Sequence, residues 1–259
     1  MKDEERKGRP EPRPAEEAPA GGGSRLAGKA PASGRRSRTG GYAAAVFDMD
    51  GTILDTLDDL MASTNRAMAA EGLPPRSRAE IRSFLGNGMA YLIAHAVPGG
   101  TDQEREQRVF QGFLADYKIH CADQTRAYEG IPEVIQALRD QGVKTAVVSN
   151  KGDFAVQDLT AQYFPGLFDA VTGERKGVRR KPAPDAVETV LRELGIPKEE
   201  AVYIGDSEVD LQTAGNAGLD AILVTWGFRE RDFLARQGAV TFAERPEELV
   251  GLITGGNRD

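Results

Sequence analysis

The chain has a single cysteine, Cys121, so it can form no intramolecular disulfide and no zinc site built on several thiolates. One thiol fits a reducing compartment. No apolar run reaches the roughly 18 residues that a membrane-spanning helix requires, and nothing near Met1 has the character of a secretory apolar segment. The two histidines, His95 and His120, have no sequence neighbours that suggest catalysis. Positive charge is in deficit, with 33 basic residues against 40 acidic ones and a net charge of -7, which argues against nucleic acid as a partner. These absences lead to the expectation of a soluble, cytoplasmic protein with no membrane association. Nothing in the sequence sets an oligomeric state.

What is present divides the chain into unlike parts. At 259 residues it can build one large domain or a domain with an insert. Residues 1–41 consist mainly of Pro, Gly, Ala, Arg and Glu, and so bury too little apolar surface to offset the entropy of ordering. They are read as a disordered tail. The Arg35-Arg36-Ser37-Arg38 cluster within it reads as solvated charge. Residues 57–127 show helical periodicity in about four segments (57–71, 81–85, 89–97 and 104–121) and no convincing strand. From residue 128, short apolar runs at 144–149, 170–172, 201–204, 221–224 and 239–242 alternate with helical stretches at 132–141, 153–163 and 184–194. That alternation predicts an α/β fold, a Rossmann-like parallel sheet core formed by 42–56 and 128–256, with 57–127 inserted as an all-helical cap.

The chemistry centres on 43–56, where an apolar run of strand formers ends in Asp48, Asp50, Gly51 and Thr52. Asp-Gly alone marks a turn. A turn requires neither the carboxylate two residues earlier nor the hydroxyl that follows. Paired carboxylates at the end of a strand suit a hard cation and in-line phosphoryl chemistry. Asp48 is the candidate nucleophile, which would form an aspartyl phosphate, and Asp50 the candidate acid and base, its main-chain carbonyl facing the metal. Thr52 offers a hydroxyl to phosphoryl oxygens. Asp48 and Asp206 could together hold Mg²⁺. In an open parallel sheet, ligands bind beyond the carboxyl ends of the strands, so the residues after separate strands are expected to converge.

With these residues in place, the chain resembles the haloacid dehalogenase superfamily over about 43–254, through its Asp-x-Asp-Gly-Thr signature at 48–52. The resemblance implies phosphate binding by Ser149 and Asn150, a site lysine at Lys181 before Pro182, and a metal loop at Gly205-Asp206-Ser207 supported by Asp210. Without it, Ser149 reads as a strand-end turn, and Lys181 has rivals in Lys176, Arg179 and Arg180. The segment 82–88, Arg-Ser-Phe-Leu-Gly-Asn-Gly, resembles the cap of the phosphoglycolate phosphatase group, with Arg82 as candidate for a substrate carboxylate. Asp50 argues against halide displacement, and a cap with Lys118 as its single lysine argues against phosphonate hydrolysis. The implied function is a Mg²⁺-dependent phosphatase of a small phosphorylated metabolite, foremost 2-phosphoglycolate. Nucleotidase, pyrophosphatase and sugar phosphomutase activities, and an idle phospholigand-binding regulator, stay open as alternatives.

Overall fold

The computed structural model of the chain describes residues 40–256. The tail expected at 1–41, including its arginine cluster, lies outside the described residues except for Gly40 and Gly41. Strand β1 (Ala44–Phe47) is buried throughout. Ala45 and Phe47 enter one apolar cluster while Ala44 and Val46 enter another, so its two faces meet separate layers of core. A strand that is apolar on both faces needs cover on both sides, which is the condition of a parallel sheet.

After β1 a short strand, β2 (Leu54–Asp55), leads into helices α1 (Leu57–Ala70), α2 (Arg78–Phe84), α3 (Met89–Ala96) and α4 (Gln103–His120). The chain returns through β3 (Arg126–Ala127), which pairs antiparallel with β2. It then alternates through α5 (Ile131–Asp140), β4 (Lys144–Gly152), α6 (Asp153–Tyr163), β5 (Ala170–Glu174), α7 (Asp185–Leu194), β6 (Ala201–Gly205), α8 (Glu208–Ala217), β7 (Asp220–Val224), α9 (Arg231–Arg236), β8 (Phe242–Ala243) and α10 (Glu248–Thr254). The main sheet has the order β5-β4-β1-β6-β7-β8, and every pairing in it is parallel. Side chains of α5, α6 and α10 cover one face and those of α7 and α8 the other. This is the α/β architecture the alternating pattern implies.

The structure departs from the sequence expectation in small elements. The β2–β3 ladder was not anticipated, because two residues per strand carry no periodicity to read. Strand β4 runs on through Lys151 to Gly152 instead of stopping at Ser149. The last strand lies at Phe242–Ala243, beyond most of the 239–242 run, and α9 and α10 are additional. Among the described residues no helix is long and apolar enough to cross a membrane.

The four inserted helices share their apolar cluster with the sheet: Leu60, Met68, Ile81, Leu92, Val109 and Phe113 join Phe47 and Val147. Helix α2 starts on a capping box between Ser77 and Glu80, which satisfies two otherwise orphaned N–H groups. Helix α1 packs on α4, where Arg66 pairs with Asp116 at 2.6 Å. The return from α4 to β3 is fixed by a buried carboxylate. Asp59, on the first turn of α1, accepts hydrogen bonds from the main-chain N–H groups of Gln124 at 2.9 Å and Thr125 at 2.7 Å. Removing that carboxylate leaves both donors without their acceptor, the Thr125 N–H in a buried position, at a cost of about 1–3 kcal/mol. Asp59→Ala is therefore expected to lower the thermal midpoint by ~4–10 °C, with Asp59→Asn intermediate because one acceptor remains. Thermal denaturation of both variants checks this; an unchanged midpoint in Asp59→Ala would show that this strap contributes nothing.

Candidate active site

The sheet order puts the ends of β4, β1 and β6 side by side, and β1 lies where the chain's winding reverses direction. Past β1, the Asp48 N–H donates to the Ile204 carbonyl at 2.8 Å, carrying the ladder one residue further and placing a buried carboxylate at the sheet's edge. The chain then turns tightly, with the N–H groups of Thr52, Ile53 and Leu54 all directed to the Met49 carbonyl. Gly51 makes the turn possible. Its φ is 81°, and a β-carbon there would lie 2.3 Å from Asp206 Oδ2. Gly227 also approaches Asp206 closely: a β-carbon there would come within 2.3 Å of the Asp206 β-carbon and 2.5 Å of the Gly51 carbonyl oxygen.

Four groups converge on this turn. Lys181 is buried, with Nζ 2.7 Å from Asp210 Oδ1, 2.9 Å from Asp48 Oδ1 and 3.0 Å from the Tyr203 hydroxyl. The contact to Asp48 is an ion pair without hydrogen-bond alignment, since Oδ1 has no hydrogen-bond partner among the described residues. Asp210 uses its second oxygen, Oδ2, to accept from the N–H groups of Asp206 and Ser207 and from the Ser207 hydroxyl. It thus caps α8 and orients Lys181 at the same time. The carboxylates of Asp48, Asp206 and Asp210 present oxygens within 4.8 Å of one another. Asp50 is held apart from them, its Oδ1 accepting from the Thr56 hydroxyl at 2.7 Å and from Lys151 Nζ at 2.9 Å.

The charges do not balance. Asp48, Asp206 and Asp210 are buried with one ammonium, that of Lys181, among them, so full ionisation of the three carboxyls would leave two negative charges uncompensated. Burial pushes the Asp48 carboxyl up to about 7; Lys181 opposes this and the nearby Asp210 and Asp50 add to it. Burial, then Asp210 and Asp48, likewise raises Asp206 well above the usual carboxylate range. Lys181 loses by burial but gains more from Asp210 and Asp48, so its proton is held more firmly than in water. A divalent cation fits this deficit in charge and in donor type. Asp210 has both oxygens committed, whereas Asp48 Oδ1 lacks a hydrogen bond and Asp206 has the main-chain N–H of Phe228 at 2.6 Å as partner to one oxygen. Asp48 and Asp206 are accordingly the side chains suited to hold the ion, with the Asp50 main chain as the third group expected from sequence.

The remaining expected residues divide. Ser149 and Asn150 line a cleft of about 510 Å³, counting its open mouth, together with Asp48, Asp50 and Asp206. The Asn150 amide is fully used on main chain: Oδ1 accepts from Lys181 N at 2.8 Å, while Nδ2 donates to the Lys181 and Gly86 carbonyls. Its side chain thereby ties loops together, where substrate binding was expected of it. Thr52 is buried with an unpartnered Oγ1 and does not line the cleft. Arg82 does not line it either; its Nη2 donates to the Gly227 carbonyl at 3.0 Å and lies 3.4 Å from Glu230. Sequence reasoning missed Lys151, Arg229, Thr56 and Tyr203. Lys151 directly follows Ser149 and Asn150, and the continuation of β4 carries it into the cleft. Arg229 joins core to insert, with Nη1 donating to the Arg82 carbonyl and Nη2 to that of Leu85.

The family model of haloacid dehalogenase-like hydrolases matches residues 45–224. The chain belongs to that family. An N-acetylmuramic acid 6-phosphate phosphatase of Pseudomonas aeruginosa is 32% identical over 212 residues, 81% of this chain and 94% of the relative. A phosphoglycolate phosphatase of Cereibacter sphaeroides is 37% identical over 188 residues, 71% of this chain and 85% of its own length. A crystal structure of a candidate phosphoglycolate phosphatase from Lactobacillus delbrueckii superposes with TM-score 0.79 at 39% identity, covering 83% of this chain and 99% of the other. As a haloacid dehalogenase-like hydrolase with such relatives, the chain is a phosphoric monoester hydrolase.

The raised carboxyls predict a pH-dependent stability. With the folded-state Asp48 near 7 and its unfolded counterpart near the ordinary 3.8, the folded protein binds more protons in that interval. Stability is therefore lost as pH rises from about 4 to about 7 in the absence of cation. In chelator, the thermal midpoint is expected to fall by ~5 °C or more between pH 5.5 and 7.5, and added Mg²⁺ to raise it more at 7.5 than at 5.5. Asp48→Asn flattens both trends. Calorimetry at the two pH values decides; equal stabilisation by Mg²⁺ at both would contradict the buried-carboxyl account.

Proposed function

We propose that this hydrolase is a Mg²⁺-dependent phosphatase of small phosphomonoesters that works through a phosphorylated Asp48, with 2-phosphoglycolate as its substrate. The observation that carries the reading is the separation of the two aspartates of the β1 turn into different partnerships: Asp48 with Lys181, Asp50 with Thr56 and Lys151. Two carboxylates so close in sequence but so differently held suit two different tasks.

Asp48 attacks phosphorus as a carboxylate, and the bond from phosphorus to the ester oxygen breaks. Asp50 supplies the proton that the departing oxygen takes up. The acyl phosphate then formed is hydrolysed when Asp50 accepts a proton from water and the water oxygen attacks phosphorus, releasing phosphate and restoring Asp48. Lys181 offsets the negative charge of nucleophile and phosphoryl oxygens, and Ser149 offers a hydroxyl donor at the end of β4. A bound divalent cation would supply further neutralisation of the phosphoryl oxygens, which otherwise repel an anionic attacker. Asp210 acts behind Lys181, and Asn150 fixes the loop that carries it.

The helices between β2 and β3 act as a lid in this reading. Segment 85–88 meets the core through the Leu85 carbonyl to Arg229 and the Gly86 carbonyl to Asn150. Leu60, Leu85, Met89 and Leu92 give the cleft an apolar wall that excludes water during phosphoryl transfer. A second reading follows from the Pseudomonas aeruginosa relative, whose name specifies a larger sugar acid phosphate. Both relatives' substrates are phosphomonoesters that also carry an acid group. The same machinery would serve either.

Steady-state kcat/KM over 2-phosphoglycolate, N-acetylmuramic acid 6-phosphate, sugar phosphates, nucleotides and pyrophosphate is expected to be highest for 2-phosphoglycolate. Activity should vanish in chelator and fall ~10⁴-fold or more in Asp48→Asn. A preference for the muramic acid ester would replace the substrate assignment, and metal-independent turnover would overturn the mechanism.

A further inference from the structure

Lys151 is the one pocket cation whose function the mechanism above leaves unassigned. Its side chain is 1% exposed, its Nζ lies 2.9 Å from Asp50 Oδ1, and the same ammonium sits 4.6 Å above the centre of the Tyr117 ring on α4. The other cation lining the cleft, Arg229, is differently placed: Nε pairs with Glu208, and Nη1 and Nη2 donate to the carbonyls of Arg82 and Leu85. Arg229 is thus spent on holding the insert against the core. Lys151 has three N–H donors, of which Asp50 takes one and the π face of Tyr117 draws on the charge without fixing a second hydrogen bond.

We infer that Lys151 is the specificity-determining residue that receives a carboxylate borne by the leaving group on the carbon next to the ester oxygen. The inference rests on the phosphatase reading and, within it, on Asp50 as the group facing the departing oxygen. The atoms bonded to that oxygen must then lie on the Asp50 side of the cleft, which is where the Lys151 ammonium is. In a 2-phospho acid the carboxylate carbon is two bonds from the ester oxygen, so a pair of protein groups 2.9 Å apart can address the oxygen and the carboxylate together. Elsewhere in the cleft's lining, Leu60, Leu85, Met89 and Leu92 offer an anion nothing, and the Arg229 guanidinium is already paired with Glu208. Burial strengthens the attraction, because an ammonium removed from water gives a charge-assisted bond its greatest discrimination. A sugar acid whose carboxylate is remote from the phosphate ester gains nothing from this arrangement. The role expected of Arg82 thereby passes to a residue on the opposite, core side of the site.

The test compares 2-phosphoglycolate with 2-hydroxyethyl phosphate, an ester of the same length without the carboxylate. Wild-type enzyme should prefer the acid, and Lys151→Met should reduce the ratio of the two kcat/KM values by ~10–100-fold, while Lys151→Arg keeps most of it. In an Asp48→Asn background, where turnover does not obscure binding, calorimetric titration should show Lys151→Met weakening 2-phosphoglycolate by ~10-fold or more. Inorganic phosphate should bind that double variant as it binds Asp48→Asn alone. An equal loss on both esters with unaltered affinities would mean that Lys151 merely orients Asp50, and the inference falls. If wild-type enzyme hydrolyses both esters equally well, the phosphatase reading stands and the Lys151 assignment fails; if it hydrolyses neither, the 2-phosphoglycolate substrate assignment fails and the Lys151 assignment falls with it.

Discussion

The buried ammonium of Lys181 is the contact on which the site depends. It touches Asp48 beyond β1, Asp210 on α8 and Tyr203 on β6, and the Tyr203 hydroxyl donates in turn to the Val148 carbonyl of β4. One side chain therefore registers three neighbouring strand ends. Burying charge is costly unless it is paired, and here pairing is over-supplied on the negative side. The excess suits a divalent cation in charge and in donor type. Stability in isolation is sacrificed for affinity toward what binds.

A second layer of constraint lies in the main-chain contacts. Asn150 grips Lys181 from both its N–H and its carbonyl, and with the same amide nitrogen reaches Gly86 in the insert. Arg229 does the equivalent for Arg82 and Leu85. Contacts to main chain are insensitive to which side chains the insert presents. The inserted helices are thus held to the core by contacts that do not depend on their inward-facing side chains.

The layout of the sheet was legible because β1, β4, β6 and β7 are short, continuous apolar runs flanked by helical periodicity, a pattern that only two-sided burial produces. The convergence of Asp48, Ser149 and Asp206 followed from their places after successive strands, whereas Lys181 was distinguished from its neighbouring cations by the family resemblance. What could not be read is equally physical. Thr56 and Lys151 have no signal of their own, since a threonine before a helix and a lysine after a strand are ordinary surface residues until the backbone brings both to Asp50. Arg82 had the right chemistry at the right distance along the chain, but a side chain with so many rotamers is placed by its acceptors, and the nearest are Gly227 and Glu230. Asn150 lines the cleft as expected, while its side-chain amide is hydrogen-bonded to main chain.

The two-residue ladder of Leu54–Asp55 with Arg126–Ala127 is the least conspicuous piece of sheet in the molecule. It brings the points where the chain leaves and rejoins the core into adjacent register, a few residues from Asp50. Everything between them is topologically a loop on a clasp. A segment clasped in this way can be lengthened, shortened or exchanged during evolution without shifting the strand that carries the nucleophile, because neither of its ends has to move. The clasp turns the helical segment into an interchangeable part and leaves the chemistry as inherited.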